Sequence, residues 1–368
     1  MSALPAVDTA GRTARLRERF AGAGVDAVLV TRLPNVRYLT GFTGSAALLL
    51  VGPTELVFVS DGRYAEQAAE QLAAAGVDAR VEIRPSQGEQ RTAMAAAAAG
   101  IARLGLEAHG VTWAQQRTFA GEWFPDAELV ATEHLVEGLR RVKEPGEVAR
   151  IRAACAIADE ALAVVTPTFA DSPTERDVAL ALEFEMRRRG ASGVSFDPIV
   201  ASGPNGAKPH ARPSDRPLRP RELVVLDFGC VIDGYCSDMT RTVSIGDPGA
   251  DARRVYEVVL ASQQAGRDAV RSGADCAAVD RACREVIEAA GWGDAFVHGT
   301  GHGVGLEIHE APRVAATARD TLGSGDVVTV EPGVYLPGVG GVRIEDTVVV
   351  TDEGADALTA SPKELLLS

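Results

Sequence analysis

The sequence predicts an α/β chain, α+β in its second part, built as two domains, on three observations. Its 368 residues exceed the size at which one hydrophobic core stops growing. Short β-rich runs alternate with helical patterns up to about residue 140, the signature of an α/β layer. A break at Lys143-Glu144-Pro145-Gly146 then opens a region in which strand signals come in pairs between long helices. The boundary is placed near residue 140, giving domains 1–140 and 141–368.

In the first domain, Thr9 to Ala23 reads as a basic amphipathic helix and Val25 to Val30 as a strand. TRLPNVRYLTGFTGS reads as a turn-rich loop. The apolar runs Ala46 to Val51 and Glu55 to Ser60 flank Gly52-Pro53 as a hairpin, followed by a helix from Tyr64 to Ala75. Strand signals at Ala79 to Ile83 and Gly105 to Glu107 enclose an alanine-rich helix around Ala93 to Ala99. In the second domain, helices are predicted near Glu147 to Val165, Thr174 to Arg189, Ala252 to Ser272 and Cys276 to Ala290, with strand pairs around 223–245 and 327–350.

Composition narrows the function classes. Hydrophobic residues make up 46% and charged residues 24%, ordinary globular usage that argues against disorder or a disulfide scaffold. A net charge of −14, from 37 basic and 51 acidic residues, disfavours nucleic acid or an anionic membrane as partner. No apolar run is expected to reach the roughly 18 to 20 residues of a bilayer span, and the N-terminus shows no apolar signal core, so a cytoplasmic location is expected. The five cysteines form no CxxC pair; they read as reduced thiols filling the core rather than as ligands.

Four of the six histidines lie beyond residue 205, which places the chemistry in the second domain. In ELVVLDFGCVIDGYCSDMTRTVSI, Asp233-Gly234 is a two-residue hairpin signal. With that turn, positions summing to 467 face each other, so Asp227 opposes Thr240 and Asp238 opposes Gly229. Side chains alternate with period 2, so Asp227 and Asp238 leave one face as diagonal neighbours, roughly 5 to 8 Å apart at Cβ. Cys230 falls on the opposite face. Two carboxylates held close need a cation or a shared proton between them; the alternative is that they are exposed strand residues or turn flanks.

HGTGHGVGLEIHE, from His298 to Glu310, carries three histidines among glycines. Glycine at this density excludes a helical zinc motif, so a loop entering a strand is expected. There His302 can bind metal while His298 and His309 reach substrate from other directions. Glu331 in VVTVEPGVY and Glu345 in GVRIEDTVVV are acids within apolar runs, costly to bury unless Arg343 or a metal compensates them. Arg343 and Glu345 share a face by parity, which leaves a structural ion pair as the alternative reading. Glu345 and Asp346 cannot both face inward on a regular strand.

The order Asp227, Asp238, His302, Glu331, Glu345 resembles the ligand set of the pita-bread metallopeptidases, the family of aminopeptidase P, prolidase and methionine aminopeptidase. VLDFG, SDMTRT, VEPG, GVRIED and the whole of His298 to Glu310 resemble its proline-specific branch over about residues 145–368, and NVRYLTGF resembles the creatinase-like N-terminal domain. The resemblance implies a creatinase-like α/β domain followed by a pita-bread domain, whose curved antiparallel sheet is covered by helices. It implies two divalent metal ions, Mn before Co, Zn or Fe, with Asp238 and Glu345 bridging, Asp227 completing one site, and His302 with Glu331 the other. His210, His298, His309 and Arg343 are implied as substrate and transition-state contacts, with Glu331 as proton shuttle.

The implied reaction is hydrolysis of the Xaa-Pro bond at the N-terminus of peptides (aminopeptidase) or in dipeptides (prolidase), by water activated between the ions. The implied partners are short peptides with proline second and another copy of the chain, in a homodimer. A related hydrolase or lyase acting on another small molecule is the first alternative. A non-catalytic binding module is the second, disfavoured because such modules lose ligands that this sequence keeps.

Overall fold

The computed structural model describes residues 4–367. It divides into two compact units: residues 6–140, and the chain from Arg141 onward joined by Leu4 and Pro5.

The first unit is built on a six-stranded mixed sheet of β1 (Ala27–Val30), β2 (Leu48–Val51), β3 (Leu56–Ser60), β4 (Arg80–Ile83), β5 (Arg103–Glu107) and β6 (Glu128–Thr132), in the order β4-β3-β2-β1-β5-β6. β2 and β3 form the hairpin around Gly52-Pro53, pairing Leu48 with Val59 and Val51 with Leu56. β3–β4, β1–β5 and β5–β6 pair in parallel. β6 was not predicted; its sequence, ELVAT, is half-exposed and lacks a continuous apolar face.

The predicted loop TRLPNVRYLTGFTGS contains a helix instead, Leu33–Thr40. Pro34 occupies its first turn, where the missing N–H costs nothing, and Gly41 ends it with φ 74°. Asn35 secures it: the buried amide donates to Glu107 and Glu137 at 2.7 Å each and accepts from Arg140 at 2.7 Å. Those partners lie 72, 102 and 105 residues away, beyond the reach of a local sequence reading.

The second unit contributes β7 (Gly193–Val194), β8 (Ile199–Ser202), β9 (Leu223–Phe228), β10 (Cys230–Ile232), β11 (Tyr235–Cys236), β12 (Met239–Ile245), β13 (Gly301–Gly303), β14 (Glu310–Val314), β15 (Val327–Val330), β16 (Gly333–Leu336), β17 (Gly340–Arg343), β18 (Asp346–Val350), β19 (Ala355–Ala357) and β20 (Leu366–Leu367). They pair as β20-β12-β9-β8, β11-β10-β7, β14-β13-β15-β18-β19 and β16-β17, antiparallel throughout except for β12–β20. Two pairs of helices cover these ladders. Pro145–Val165 and Glu175–Arg188 bury Ile157, Leu162, Leu182 and Met186 with Leu226, Phe228 and Val243. Ala250–Ala269 and Cys276–Ala289 bury Val255, Val259, Val279 and Ile287 with Val328, Val342 and Val348.

One expectation needs correction. The helix and its 3₁₀ extension, Pro145–Asp171, are long and apolar enough by length and composition to cross a membrane. Alanine carries that apolarity without a conspicuous run of large side chains, which is why the sequence conceals it. In the fold, one face of the helix (Ile151, Ala154, Ala158, Ala161) is fully buried in the domain core.

Glu345 and Asp346, which cannot share a strand face, are both 1% exposed, because both faces of β18 are covered. Asp346 accepts from Arg241 (3.0 Å), Arg267 (3.1 Å), Gln263 (3.0 Å) and Thr359 (3.0 Å), and pairs with Lys363. Burial alone would raise its carboxyl, but Arg241, Lys363 and Arg267 hold it below its ordinary value. Removing one partner from such a buried cluster costs about 3–5 kcal/mol. Arg241 also donates to the carbonyls of Thr240 and Glu345, so this cluster fixes the backbone from which Glu345 projects on the other side.

Candidate metal centre

The hairpin that carries the two aspartates has the register its turn dictates. Asp233 (φ 45°) and Gly234 (φ 78°) both take the left-handed conformation of a two-residue turn. Ile232 faces Tyr235, Val231 faces Cys236, Phe228 faces Met239 and Asp227 faces Thr240, all pairs summing to 467 as expected. Asp227 and Asp238 line one pocket. Cys230 turns away and donates to the Ala154 carbonyl. All five cysteines are free and buried, and burial pushes the Cys230 and Cys236 thiols up to about 12, so they stay protonated at neutral pH.

His302 sits at the middle of β13, between β14 and β15. Glycine flanks it for a steric reason: a Cβ at Gly301 would lie 2.0 Å from the Thr329 carbonyl oxygen, and one at Gly303 2.3 Å from that of Ala311. The close approach places the His302 Nε2 atom 3.5 Å from Asp238 and 3.4 Å from Glu331. Its Nδ1 faces the Gly303 carbonyl at 2.9 Å, a contact that puts the proton on Nδ1 and leaves the Nε2 lone pair for a cation. Glu331 follows the end of β15, and Glu345 lies between β17 and β18.

The ligand atoms of Asp238, His302 and Glu345 lie within 4.8 Å of one another. Asp227 and Glu331 border the same cavity of about 670 Å³. Two ionised carboxylates at such a distance repel by about 4 kcal/mol at an effective dielectric of ~20. Burial, then the charge of Glu345, followed by Asp227 and Glu331, raises the Asp238 carboxyl well above its ordinary value. Burial, followed by Glu331 and Asp227, does the same to Glu345, and burial pushes Glu331 up to about 8. Asp227 Oδ1 and Glu345 Oε1 are buried without a hydrogen-bond partner among the described residues, although buried carboxylate oxygens are ordinarily satisfied. Orphaned oxygens, like-charge crowding and a free imidazole lone pair fit a divalent cation.

The alternative reading, an Arg343–Glu345 ion pair, is not what forms: Arg343 pairs with Asp227, at 2.5 Å. Its other N–H groups reach Thr240 (3.1 Å), the Pro209 carbonyl (3.1 Å) and the Tyr335 hydroxyl (2.7 Å). Thr240 in turn donates to Glu345 Oε2 at 2.7 Å. Tyr335, which the sequence reading missed, contacts His298 Nε2 at 2.8 Å. The signal was present: Glu331, Gly333 and Tyr335 alternate with period 2 along VEPGVY.

Burial lowers His298 and His302 to about 4 and also lowers His309. The ring of His309 meets that of His302 edge-on at 4.3 Å. His210, His298 and His309 all line the cavity, as do Arg212 and Arg313, which sequence reasoning also missed. Arg313 is the cross-strand partner of His302 in β14.

Residues 149–352 match the metallopeptidase family M24, and residues 12–142 match the creatinase/prolidase N-terminal domain. The chain belongs to the M24 metallopeptidases. An uncharacterized peptidase of Bacillus subtilis, YqhT, is 41% identical over 96% of this chain and 99% of its own length. The structure of the Xaa-Pro dipeptidase from Bacillus anthracis superposes with a TM-score of 0.91 at 39% identity, covering 97% of this chain and 99% of that one. That of the X-Pro aminopeptidase from Thermotoga maritima does so with 0.86 at 32%, covering 95% and 99%. The fold is thus a creatinase-type domain followed by a pita-bread domain, and membership of M24 implies divalent metal ions at the carboxylate and histidine cluster.

The raised carboxyls make the metal-free protein pH-sensitive. Glu331 holds its proton to about pH 8 in the fold but releases it near 4.5 when unfolded, so the folded state binds more protons between those values and stability falls as pH rises. His298 and His302, lowered from 6.5 to about 4, act oppositely, but only below pH 6.5. Between pH 6.5 and 8 the carboxyl effect stands alone. The melting temperature of chelated protein should fall across that window and that of metal-loaded protein should not; a flat chelated profile would contradict the crowded-carboxylate account.

Proposed function

We propose that the chain hydrolyses the bond between an N-terminal residue and a following proline in short peptides, with two divalent ions held by Asp227, Asp238, His302, Glu331 and Glu345. The observation that carries this reading is the convergence of four acids and one imidazole on a cavity whose remaining wall is rich in histidine and arginine. The names of the B. anthracis and T. maritima relatives support it. When bound, such an ion pair polarises the scissile carbonyl and makes a water acidic enough to deprotonate near neutral pH.

The chain's own residues do the rest. Glu331, beside His302 Nε2, is the carboxylate placed to take the water's proton and return it to the departing proline nitrogen, which as a tertiary amide has no hydrogen of its own. His298 is fixed between the Gly299 carbonyl at Nδ1 and the Tyr335 hydroxyl at Nε2. His210 and His309 border the cavity from two other segments and are assigned to the substrate carbonyl as its oxygen gains charge. Arg343 holds Asp227 and Tyr335 in place.

A donor set of four carboxylates to one imidazole favours manganese. Chelated protein should be inactive on Ala-Pro and Ala-Pro-Ala and regain activity with Mn, whereas Asp238→Ala should neither bind metal tightly nor respond. Inactivity of the reconstituted wild type on both peptides would defeat the proline-peptidase reading and favour another small-molecule hydrolase.

Arg212 and Arg313 are exposed on the cavity wall, with no hydrogen-bond or ion-pair partner among the described residues. A free arginine on the wall of the cavity that holds the carboxylates suits the terminal carboxylate of a dipeptide, which favours prolidase activity. Arg313→Ala should raise KM for Ala-Pro about 10-fold or more, a lost charge-assisted contact of about 1.5–3 kcal/mol, and affect Ala-Pro-Ala less; an equal effect on both peptides would remove this argument. The resemblance further suggests a homodimer, which sedimentation as a monomer at micromolar concentration would overturn; the cytoplasm is the proposed location, which recovery of the native protein from an exported fraction would overturn.

A further inference from the structure

Between β8 and β9 the chain forms a 3₁₀ turn, Gly203–Ala207, and a single bridge from Pro217 to Thr174, yet this segment brings His210, Ala211, Arg212 and Pro213 to the cavity wall. Without strand ladders, its position depends on tethers. Glu175, in the first turn of the Glu175–Arg188 helix and wholly buried at 0% exposure, supplies them. Its Oε1 accepts from the Ser202 amide (2.7 Å), the Ser202 hydroxyl (2.8 Å) and Asn205 Nδ2 (3.1 Å). Its Oε2 accepts from the Ser214 amide (3.1 Å), the Ser214 hydroxyl (2.6 Å) and the same Asn205 nitrogen (3.0 Å).

One carboxylate therefore holds both ends of the segment, and backbone bonds from Glu175 to Arg216 and from Arg176 to Ser214, at 2.9 and 3.1 Å, reinforce the far end. Burial alone would raise the Glu175 carboxyl, but the donors from Ser214, Ser202 and Asn205 hold it below its ordinary value, so it is ionised at neutral pH. On the other side Arg343 donates to the Pro209 carbonyl, next to His210, at 3.1 Å. His210 thus hangs between an anchor in the metal network and an anchor on a helix outside it.

We propose that Glu175 is a positioning residue: by clamping Ser202, Asn205 and Ser214 it sets where His210 stands over the substrate. For its activity readout this rests on the peptidase reading above. A carboxylate that merely capped the helix would lower stability without acting through His210, and the test separates the two roles.

In Glu175→Gln the amide nitrogen must face either the Ser202 or the Ser214 backbone N–H, so one tether is lost in either orientation. Metal content should be unchanged, and kcat/KM on Ala-Pro should fall about 10- to 100-fold, the scale of a misplacement of about 1 Å. Combined with His210→Ala it should fall no further than with His210→Ala alone, because residues acting as a unit are not additive. Hydrogen exchange should quicken over residues 203–216 and stay unchanged in β9 and β12. Ser214→Ala, which keeps the carboxylate and removes one donor, should show the same pattern more weakly and serves if Glu175→Gln fails to fold.

Full additivity with His210→Ala, unchanged kcat/KM, or unchanged exchange over 203–216 would each overturn the proposal. Wild-type inactivity on Xaa-Pro peptides would instead defeat the proposed substrate, and the exchange comparison would still decide whether Glu175 holds the segment.

Discussion

Asp238, Glu331 and Glu345 share a cavity with Asp227, and among the described residues only Asp227 of the four is ion-paired to a guanidinium. Left as they are, the other three must keep protons they would ordinarily lose or repel one another at low effective dielectric. Replacing the group with apolar side chains would serve stability better, so their presence needs a reason other than folding. Divalent cations held there would remove the repulsion and give the orphaned oxygens of Asp227 and Glu345 a partner. Much of the second domain serves to hold these groups where, without metal, they would not choose to be.

The scaffold divides that task by element type. The candidate ligands stand on or next to strands: Asp227 and Asp238 on one hairpin, His302 on a strand squeezed between two others, Glu331 and Glu345 at strand ends. Ladder hydrogen bonds hold such positions to small tolerances, as a metal site demands. The remaining histidines stand on irregular segments and need separate anchors. Asp280 accepts from the Thr300 amide at 3.0 Å, and Arg284, paired to Asp280, donates to the His298 carbonyl at 2.9 Å. Lys143 pairs with Glu310, beside His309, at 3.1 Å with both side chains nearly inaccessible. With Glu175 below the His210 segment, a buried acid stands behind each wall histidine.

This division also explains what was legible in the sequence. The hairpin register followed from Asp233-Gly234 because turn type and side-chain alternation are local rules, and the glycines around His302 announced a close approach for the same reason. The helix at Leu33–Thr40 was misread because its stabilising partners, Glu107, Glu137 and Arg140, lie in distant segments. Parity within one strand left an Arg343–Glu345 ion pair open as the alternative reading; a neighbouring strand brings Asp227 to Arg343 instead. Tyr335 and Arg313 were missed although each sits at a position that alternation or pairing with a recognised residue could have flagged. Parity finds a face but not the partner across it.

The cavity holds two arginine environments, which differ in how free each is to meet a ligand. Arg343 is 3% exposed and spends its donors on Asp227, Thr240, Tyr335 and Pro209, so a substrate carboxylate would have to compete with those partners for it. Arg212 and Arg313 lose nothing by turning to a ligand. In a dipeptide the carboxylate lies one residue from the scissile bond, whereas in a longer peptide that position is a neutral amide. The difference between the two peptides is thus a difference in charge, which exposed arginines on the wall are chemically suited to meet apart from the metal ligands.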